Sequence, residues 1–160
     1  MKIAICQINP IVGDFDYNHN LLLKYYKNSI GLNADIIVYP ELVISGYPPQ
    51  DLLWEDGFVD QNLLILNEIA SVSSTPLIFG FVRKENGRLF NSAAVCFDGK
   101  LQSTTDKILL PTYDVFDEER YFTSGDEPKV VPIPVKGKQV NLGVQICEDL
   151  GDHHYDCKVS

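Results

Sequence analysis

No apolar run in this chain approaches the roughly 18 residues that a membrane-spanning helix needs. The opening stretch, MKIAICQINP, is a short apolar run broken by Gln7 and Asn9. It lacks a signal peptide's longer apolar region and small-residue cleavage site. A cytoplasmic location without membrane contact is therefore the expectation. Basic residues are also scarce: 13 Lys and Arg stand against 22 Asp and Glu, for a formal net charge of -9. That balance argues against nucleic acid or an anionic membrane as partner, since both reward Lys and Arg. The four cysteines form no C-x-x-C pair and no zinc spacing, so free thiols are expected. Cys6 and Cys96 lie in apolar segments and read as core residues, while Cys157 is uninformative. His153 and His154 are adjacent, a poor arrangement for chelating one ion, so no metal site is expected. Repeats, low-complexity segments, linkers and a glycine-rich phosphate loop are all missing.

What remains is the composition of one globular domain: 160 residues, 45% hydrophobic and 22% charged. KIAICQI reads as a first strand, apolar enough to be central in a sheet. Asp14 or Asp16 can cap a helix through YNHNLLLKYYKNSI, which Gly31 and Asn33 would end. DIIVYP is a second buried strand, and DQNLLILNEIASVSS has helical spacing at Leu63, Leu66, Ile69 and Ala70. PLIFGFV is a third strand. RLFNSAAVCFDGKLQSTTDK reads as a hairpin turning at Asp98-Gly99. A long irregular piece, ILLPTYDVFDEERYFTSGDEP, precedes two further strands around Gly137. The pattern is that of an α/β protein with a mixed sheet. The last strand, VNLGVQIC, is followed by only the beginning of another element. The 160 residues are expected to be the front part of a longer protein.

Three reactive side chains follow apolar or hairpin strands: Glu41 after DIIVYP, Lys107 after LQSTTDK and Cys147 after VNLGVQI. Open α/β sheets bind ligands beyond the carboxyl ends of their strands, so these three can converge on one edge. Their chemistry is coherent. A free thiol with a pKa of about 8.5 needs about 2 kcal/mol to be half ionised at pH 7. An ammonium about 4 Å away offers roughly 4 kcal/mol at an effective dielectric near 20, which a glutamate nearby partly cancels. Glu41 then serves as base toward Cys147 and later as acid toward a leaving amine. Lys107 holds its charge between the anions, and the backbone N–H of Glu148 is a second oxyanion donor. Pro40, Pro48 and Pro49 stiffen the chain around the carboxylate. Read singly, each residue has an ordinary structural explanation, Glu41 as a strand-end acid and Lys107 as a solvated hairpin lysine.

The motifs as an ordered set are more specific. YPELVISGYPPQDLL, DKILLPTYDVFDEERYFTSG and GVQICEDLG resemble the nitrilase-like carbon–nitrogen hydrolases. The GYPPQDLL and VFDEERYF pieces look like the N-terminal glutaminase branch found in glutamine-dependent NAD synthetases. The resemblance implies a four-layer α-β-β-α sandwich, of which residues 1–160 would be the N-terminal part. It implies a triad of Glu41 as base, Lys107 as charge stabiliser and Cys147 as nucleophile. Tyr113, Glu118 and Glu148 form the implied substrate-binding set, with Glu118 also matching a second acid that supports the lysine. The implied reaction hydrolyses glutamine through a thioester and passes ammonia to a synthetase domain, which would use ATP and Mg²⁺. Homo-oligomeric assembly is also expected. A stand-alone amidase for another small amide, and a non-catalytic half-sandwich that exposes apolar surface, are the alternatives. Gly151 departs from the family, which usually carries Trp there; looser packing behind the nucleophile and a variant without effect are the two expectations.

Overall fold

The computed structural model describes residues 1–154, with side chains described through Gly151. Cys157 and the side chains of His153 and His154 lie outside the described residues. The elements are β1 (Ile3–Ile5), α1 (Phe15–Gly31), β2 (Ile36–Val38), α2 (Phe58–Ser71), β3 (Leu77–Glu85), β4 (Arg88–Phe97), β5 (Lys100–Asp106), β6 (Lys129–Val135) and β7 (Lys138–Val144). Short 3₁₀ turns occupy Gln50–Trp54, Glu118–Arg120 and Cys147–His154. Asp14 caps α1, its carboxylate accepting from the Tyr17 N–H at 3.0 Å.

Strands β1 to β5 form one mixed sheet in sequence order. The first three run parallel; β4 and β5 join as antiparallel neighbours. Asp98 and Gly99, with φ of +54° and +69°, make the β4–β5 turn, as the Asp-Gly pair predicts. Hairpin β6–β7 does not extend this sheet; it forms a second, two-stranded sheet.

Both faces of the large sheet are covered, which explains the near-continuous apolar runs of β2 to β4. On one face, Ile37, Phe79, Phe81, Ala94 and Cys96 pack with Leu22 and Tyr26 of α1 and Ile65, Leu66 and Ile69 of α2. On the other, Ile36, Ile78, Ala93 and Val95 meet Val131, Ile133, Val135, Val144 and Ile146. Alternate residues along each strand thus serve different cores, as a side-chain period of two requires. The second sheet alternates likewise: in KVVPIPV the residues 131, 133 and 135 are buried, while Pro132 and Pro134 face outward. The layers are helices, large sheet and small sheet, the α-β-β portion of the expected sandwich.

One expectation is not met among the described residues: there β1 is a three-residue strand at the edge of the sheet, and Ile3 and Ile5 are 47% and 74% exposed. They share register with Ile36 and Val38, so they belong to the face toward the second sheet. The described part of that sheet has two strands, and its apolar contacts gather on β2 to β4. Hydropathy reports that KIAICQI is fit for burial, not whether this segment buries it.

Candidate active site

Strands β2 and β5 point the same way, because two antiparallel pairings separate β5 from β3. Glu41 follows β2 through Tyr39 and Pro40, and Lys107 follows β5 directly. Their side chains therefore leave the same edge of the sheet. Cys147 follows the second-sheet strand β7.

Each backbone is pinned locally. The segment behind Glu41 passes over Gly80 of β3, whose N–H donates to the Pro40 carbonyl at 3.1 Å. A Cβ at Gly80 would lie 2.7 Å from the Glu41 Cα and 2.6 Å from its carbonyl carbon. Leu42, Val43 and Ile44 then turn into the core, all fully buried. Buried Asn18 of α1 donates to the Ile44 carbonyl at 2.9 Å and holds that turn against the helix. Lys107 donates its backbone N–H to the Asn91 carbonyl, and its own carbonyl accepts from the Gly125 N–H, both at 2.8 Å. The preceding Asp106 takes a two-pronged contact from Arg83, at 2.8 and 2.6 Å, which locks the end of β5. Cys147 itself has φ of +48°, a left-handed conformation that costs a non-glycine residue about 1–2 kcal/mol. Asp149 over-determines that turn. Its buried carboxylate accepts from the N–H groups of Ile108, Leu109 and Ile146 at 2.9–3.0 Å. It thereby ties the nucleophile's turn to the chain leaving Lys107.

The Lys107 ammonium is buried, with 1% residue exposure, and donates to Glu41 Oε1 and Glu118 Oε1 at 2.8 Å each. Desolvation pulls the lysine's pKa down, but the two carboxylates outweigh it and hold the group above the ordinary lysine value. Tyr47 donates its hydroxyl to Glu118 Oε1 at 2.8 Å. Asn91 Nδ2 donates to Glu41 Oε1 at 2.6 Å and lies 3.4 Å from Glu118 Oε2. The Cys147 thiol lies near enough to Glu41 to feel its charge. Partial desolvation first, then the Glu41 charge, push the thiol's pKa up, and Lys107 opposes them. Cys147 thus rests protonated at neutral pH with a carboxylate beside it. Glu41 and Cys147 both line a cavity of about 220 Å³ between the two sheets. Glu118 lines another of about 260 Å³ with Tyr47, Phe116 and Tyr121. Lys107 lines neither, so its charge reaches solvent only through its neighbours.

The structure brings Glu41, Lys107 and Cys147 into one cluster. Glu118 joins it as a buried partner of the lysine, 4% exposed, at the inner wall of the second cavity. Tyr113 and Glu148 form a separate exposed pair, the phenol donating to Glu148 Oε2 at 2.8 Å. That bond is the main reason the Tyr113 pKa is raised. Gly151 leaves room behind the turn, where a Cβ would meet Glu148 Oε1 at an ordinary 3.5 Å. Cys6 and Cys96 are core thiols as expected, and burial pushes Cys96 up to about 12. Three contributors escaped the sequence reading, Asn91, Tyr47 and Gly80, and the part played by Asp149 of the CED motif was not assigned. Asn91 left a signal, a polar residue interrupting the apolar strand RLFNSAAVCF. Asp149 left another in its spacing from the cysteine. Tyr47 and Gly80 left none that sets them apart from other tyrosines and glycines.

No group of three or more His, Cys, Asp and Glu among the described residues is arranged to hold a metal ion. No helix among them is long and apolar enough to cross a membrane.

A glutamine-dependent NAD(+) synthetase of Thermotoga maritima is 35% identical over 153 residues, covering 94% of this chain and 26% of the relative. One from Acinetobacter baylyi is 37% identical over 150 residues, covering 93% and 27%. The chain thus spans about a quarter of the length of the curated relatives it matches. Among solved structures, a glutamine-dependent NAD+ synthetase from Acinetobacter baumannii superposes with a TM-score of 0.85 at 33% identity, over 95% of this chain and 28% of the other. An amidase from Nesterenkonia sp. shares the fold, with a TM-score of 0.78 at 22% identity over 94% and 56%. Residues 2–153 match the carbon-nitrogen hydrolase family, and the chain belongs to it.

Proposed function

We propose that this chain hydrolyses the side-chain amide of glutamine through a Cys147 thioester and supplies ammonia for the synthesis of NAD. The amidation of nicotinic acid adenine dinucleotide, with ATP and Mg²⁺, would take place in a synthetase domain elsewhere in the protein. The observation that carries the reading is the buried Lys107 ammonium between Glu41 and Glu118, with the Cys147 thiol near Glu41. The choice of glutamine is supported by relatives at 35–37% identity that carry that activity in their names.

In the proposed reaction Sγ of Cys147 attacks the carboxamide carbon as Glu41 takes the thiol proton. The carbonyl oxygen becomes an oxyanion. Lys107 has three N–H donors and gives two to the carboxylates; the proposed reaction needs the third to face the cavity that Glu41 and Cys147 line. The Glu148 backbone N–H is the second donor. Collapse breaks the carbon–nitrogen bond, and Glu41 returns the proton to the departing ammonia. Water then adds to the thioester with Glu41 again as base, releasing glutamate and the thiol. The exposed Glu148 carboxylate and Tyr113 hydroxyl, beside the nucleophile, suit the α-ammonium of glutamine.

Cys147→Ala in the full-length protein tests this. It should abolish glutamine-dependent NAD formation and leave ammonia-dependent formation within about twofold. Surviving glutamine hydrolysis would refute the nucleophile. Turnover of other small amides in preference to glutamine would favour the stand-alone amidase.

A further inference from the structure

Asn91 lies in the middle of β4, 1% exposed, and contacts every charged member of the cluster except the thiol. Its backbone carbonyl accepts from the Lys107 N–H at 2.8 Å. Its amide nitrogen donates to Glu41 Oε1 at 2.6 Å and reaches toward Glu118 Oε2 at 3.4 Å. Its carbonyl oxygen Oδ1 is buried with no hydrogen-bond partner among the described residues. Such an orphan acceptor is costly, and buried amides normally satisfy both ends. Turning the amide over would not relieve it, because the oxygen would then face two carboxylates. The orientation is therefore dictated by Glu41 and Glu118, at the expense of Oδ1.

We propose that Asn91 is the positioning residue for the base. It fixes Oε1 of Glu41, jointly with Lys107, so that Oε2 is the oxygen presented to the Cys147 thiol. The proposal rests on Glu41 being the base of the reaction above. A carboxylate that shares one oxygen between two donors cannot rotate without losing both bonds, and a proton acceptor must hold its place to within a fraction of an ångström. The charged and titratable groups facing Glu41 are Lys107 beyond β5, Glu118 on its 3₁₀ turn, Cys147 beyond β7 and Tyr47 in the segment after β2. Of these only Lys107 is cationic. Losing the Asn91 donor therefore leaves Lys107 alone to hold Oε1 against the Glu118 charge.

The test is alkylation of Cys147 by iodoacetamide as a function of pH in the full-length protein, followed at the Cys147 peptide by mass spectrometry. Sγ displaces iodide while its proton passes to the base. Asn91→Leu removes the donor and the orphan acceptor together at similar volume. The acid limb of the alkylation profile should move up by about one pH unit, which is about a tenfold loss of rate at a fixed pH on that limb. In the hydrolysis assay kcat read on the same limb should fall by a similar factor, with KM changed by less than threefold. Asn91→Asp keeps the shape and turns the donor into a third carboxylate, so its limb should move at least as far. An unshifted acid limb in either folded variant, even with lower rates, would assign Asn91 a merely structural role and overturn the proposal. The reagent is not a substrate. A shifted limb therefore supports Asn91 even in a protein that fails to hydrolyse glutamine, where only the substrate assignment falls.

Discussion

Gly80→Ala adds one methyl group far in sequence from every reacting atom, and it should disable the site. The added Cβ would lie 2.6 Å from the Glu41 carbonyl carbon and 2.7 Å from its Cα. Carbon atoms pack at about 3.5–4.0 Å, so one side must retreat by about 1 Å. Strand β3 is paired with β4 along its whole length, from Leu77–Cys96 to Glu85–Arg88, and is held by α2 through Asn62 and Val82. The segment at Pro40 to Leu42 has a single backbone bond to Gly80 and already carries a left-handed Leu42, with φ of +45°. The segment yields, and it takes Glu41 with it. A misplacement of about 1 Å costs on the order of 100-fold in rate, and overpacking costs about 1–3 kcal/mol of stability. The assay is steady-state glutamine hydrolysis with thermal unfolding measured in parallel. The variant should stay folded, lose about two orders of magnitude in kcat, and keep KM within a few-fold. A folded Gly80→Ala protein with kcat within twofold of the parent would refute the claim that this contact places the base.

Two further outcomes concern the charges around the cluster. Lys107 has a folded pKa raised above its unfolded value, so its contribution to stability is complete below about pH 10.4 and fades only at higher pH. Glu118→Gln removes one of the two carboxylates that raise it. The fall in thermal midpoint should therefore be constant from about pH 6 to 9 and shrink above about pH 10; a difference that varies within the neutral range would contradict the assignment. Asp149→Ala strips three backbone N–H groups of their acceptor and should cost about 3–5 kcal/mol, since charged acceptors contribute about 1.5–3 kcal/mol each and the losses overlap. Hydrogen exchange should show Ile108, Leu109 and Ile146 losing protection together. Unchanged protection there would mean that Asp149 does not tie the two segments.

The parts of the fold legible in the sequence are those set by local chemistry. Asp14 as a cap, Asp98-Gly99 as a turn and the alternation of KVVPIPV each depend on a few adjacent residues, and each recurs in the structure. The place of β1 at the edge of the described sheet was not legible, because sheet order is decided by which neighbour a strand finds. The hydropathy of β6 and β7 likewise does not assign them to a separate sheet; the two-sheet arrangement followed from the family resemblance instead. At the site, the reactive ends stood out because a charge or thiol after an apolar run is conspicuous. Asn91 and Tyr47 act through partners 50 and 71 residues away. No spacing rule reaches that far, and a neutral amide in a strand looks like any polar interruption until both carboxylates are placed beside it.

The electrostatics of the assembled cluster favour activation of the thiol by proton transfer in the reaction proposed above. An isolated lysine beside a cysteine would favour a standing thiolate, and attraction at about 4 Å is ample for it. Here the same ammonium already serves two carboxylates at 2.8 Å, so the cluster of Glu41, Glu118 and Lys107 carries one net negative charge. That charge, together with desolvation, is why the Cys147 thiol lies above its ordinary value despite the lysine nearby. A resting thiol is poorly nucleophilic and poorly oxidisable, since both reactions run through thiolate. In the proposed reaction, negative charge leaves Glu41 as it accepts the proton and reappears on the substrate oxygen. Lys107 is then freed of part of one partner at the moment a new anion forms within its reach. The lysine need not move for this. Its pairing shifts from the base toward the oxyanion, and the fixed second carboxylate, Glu118, keeps it protonated and in place throughout.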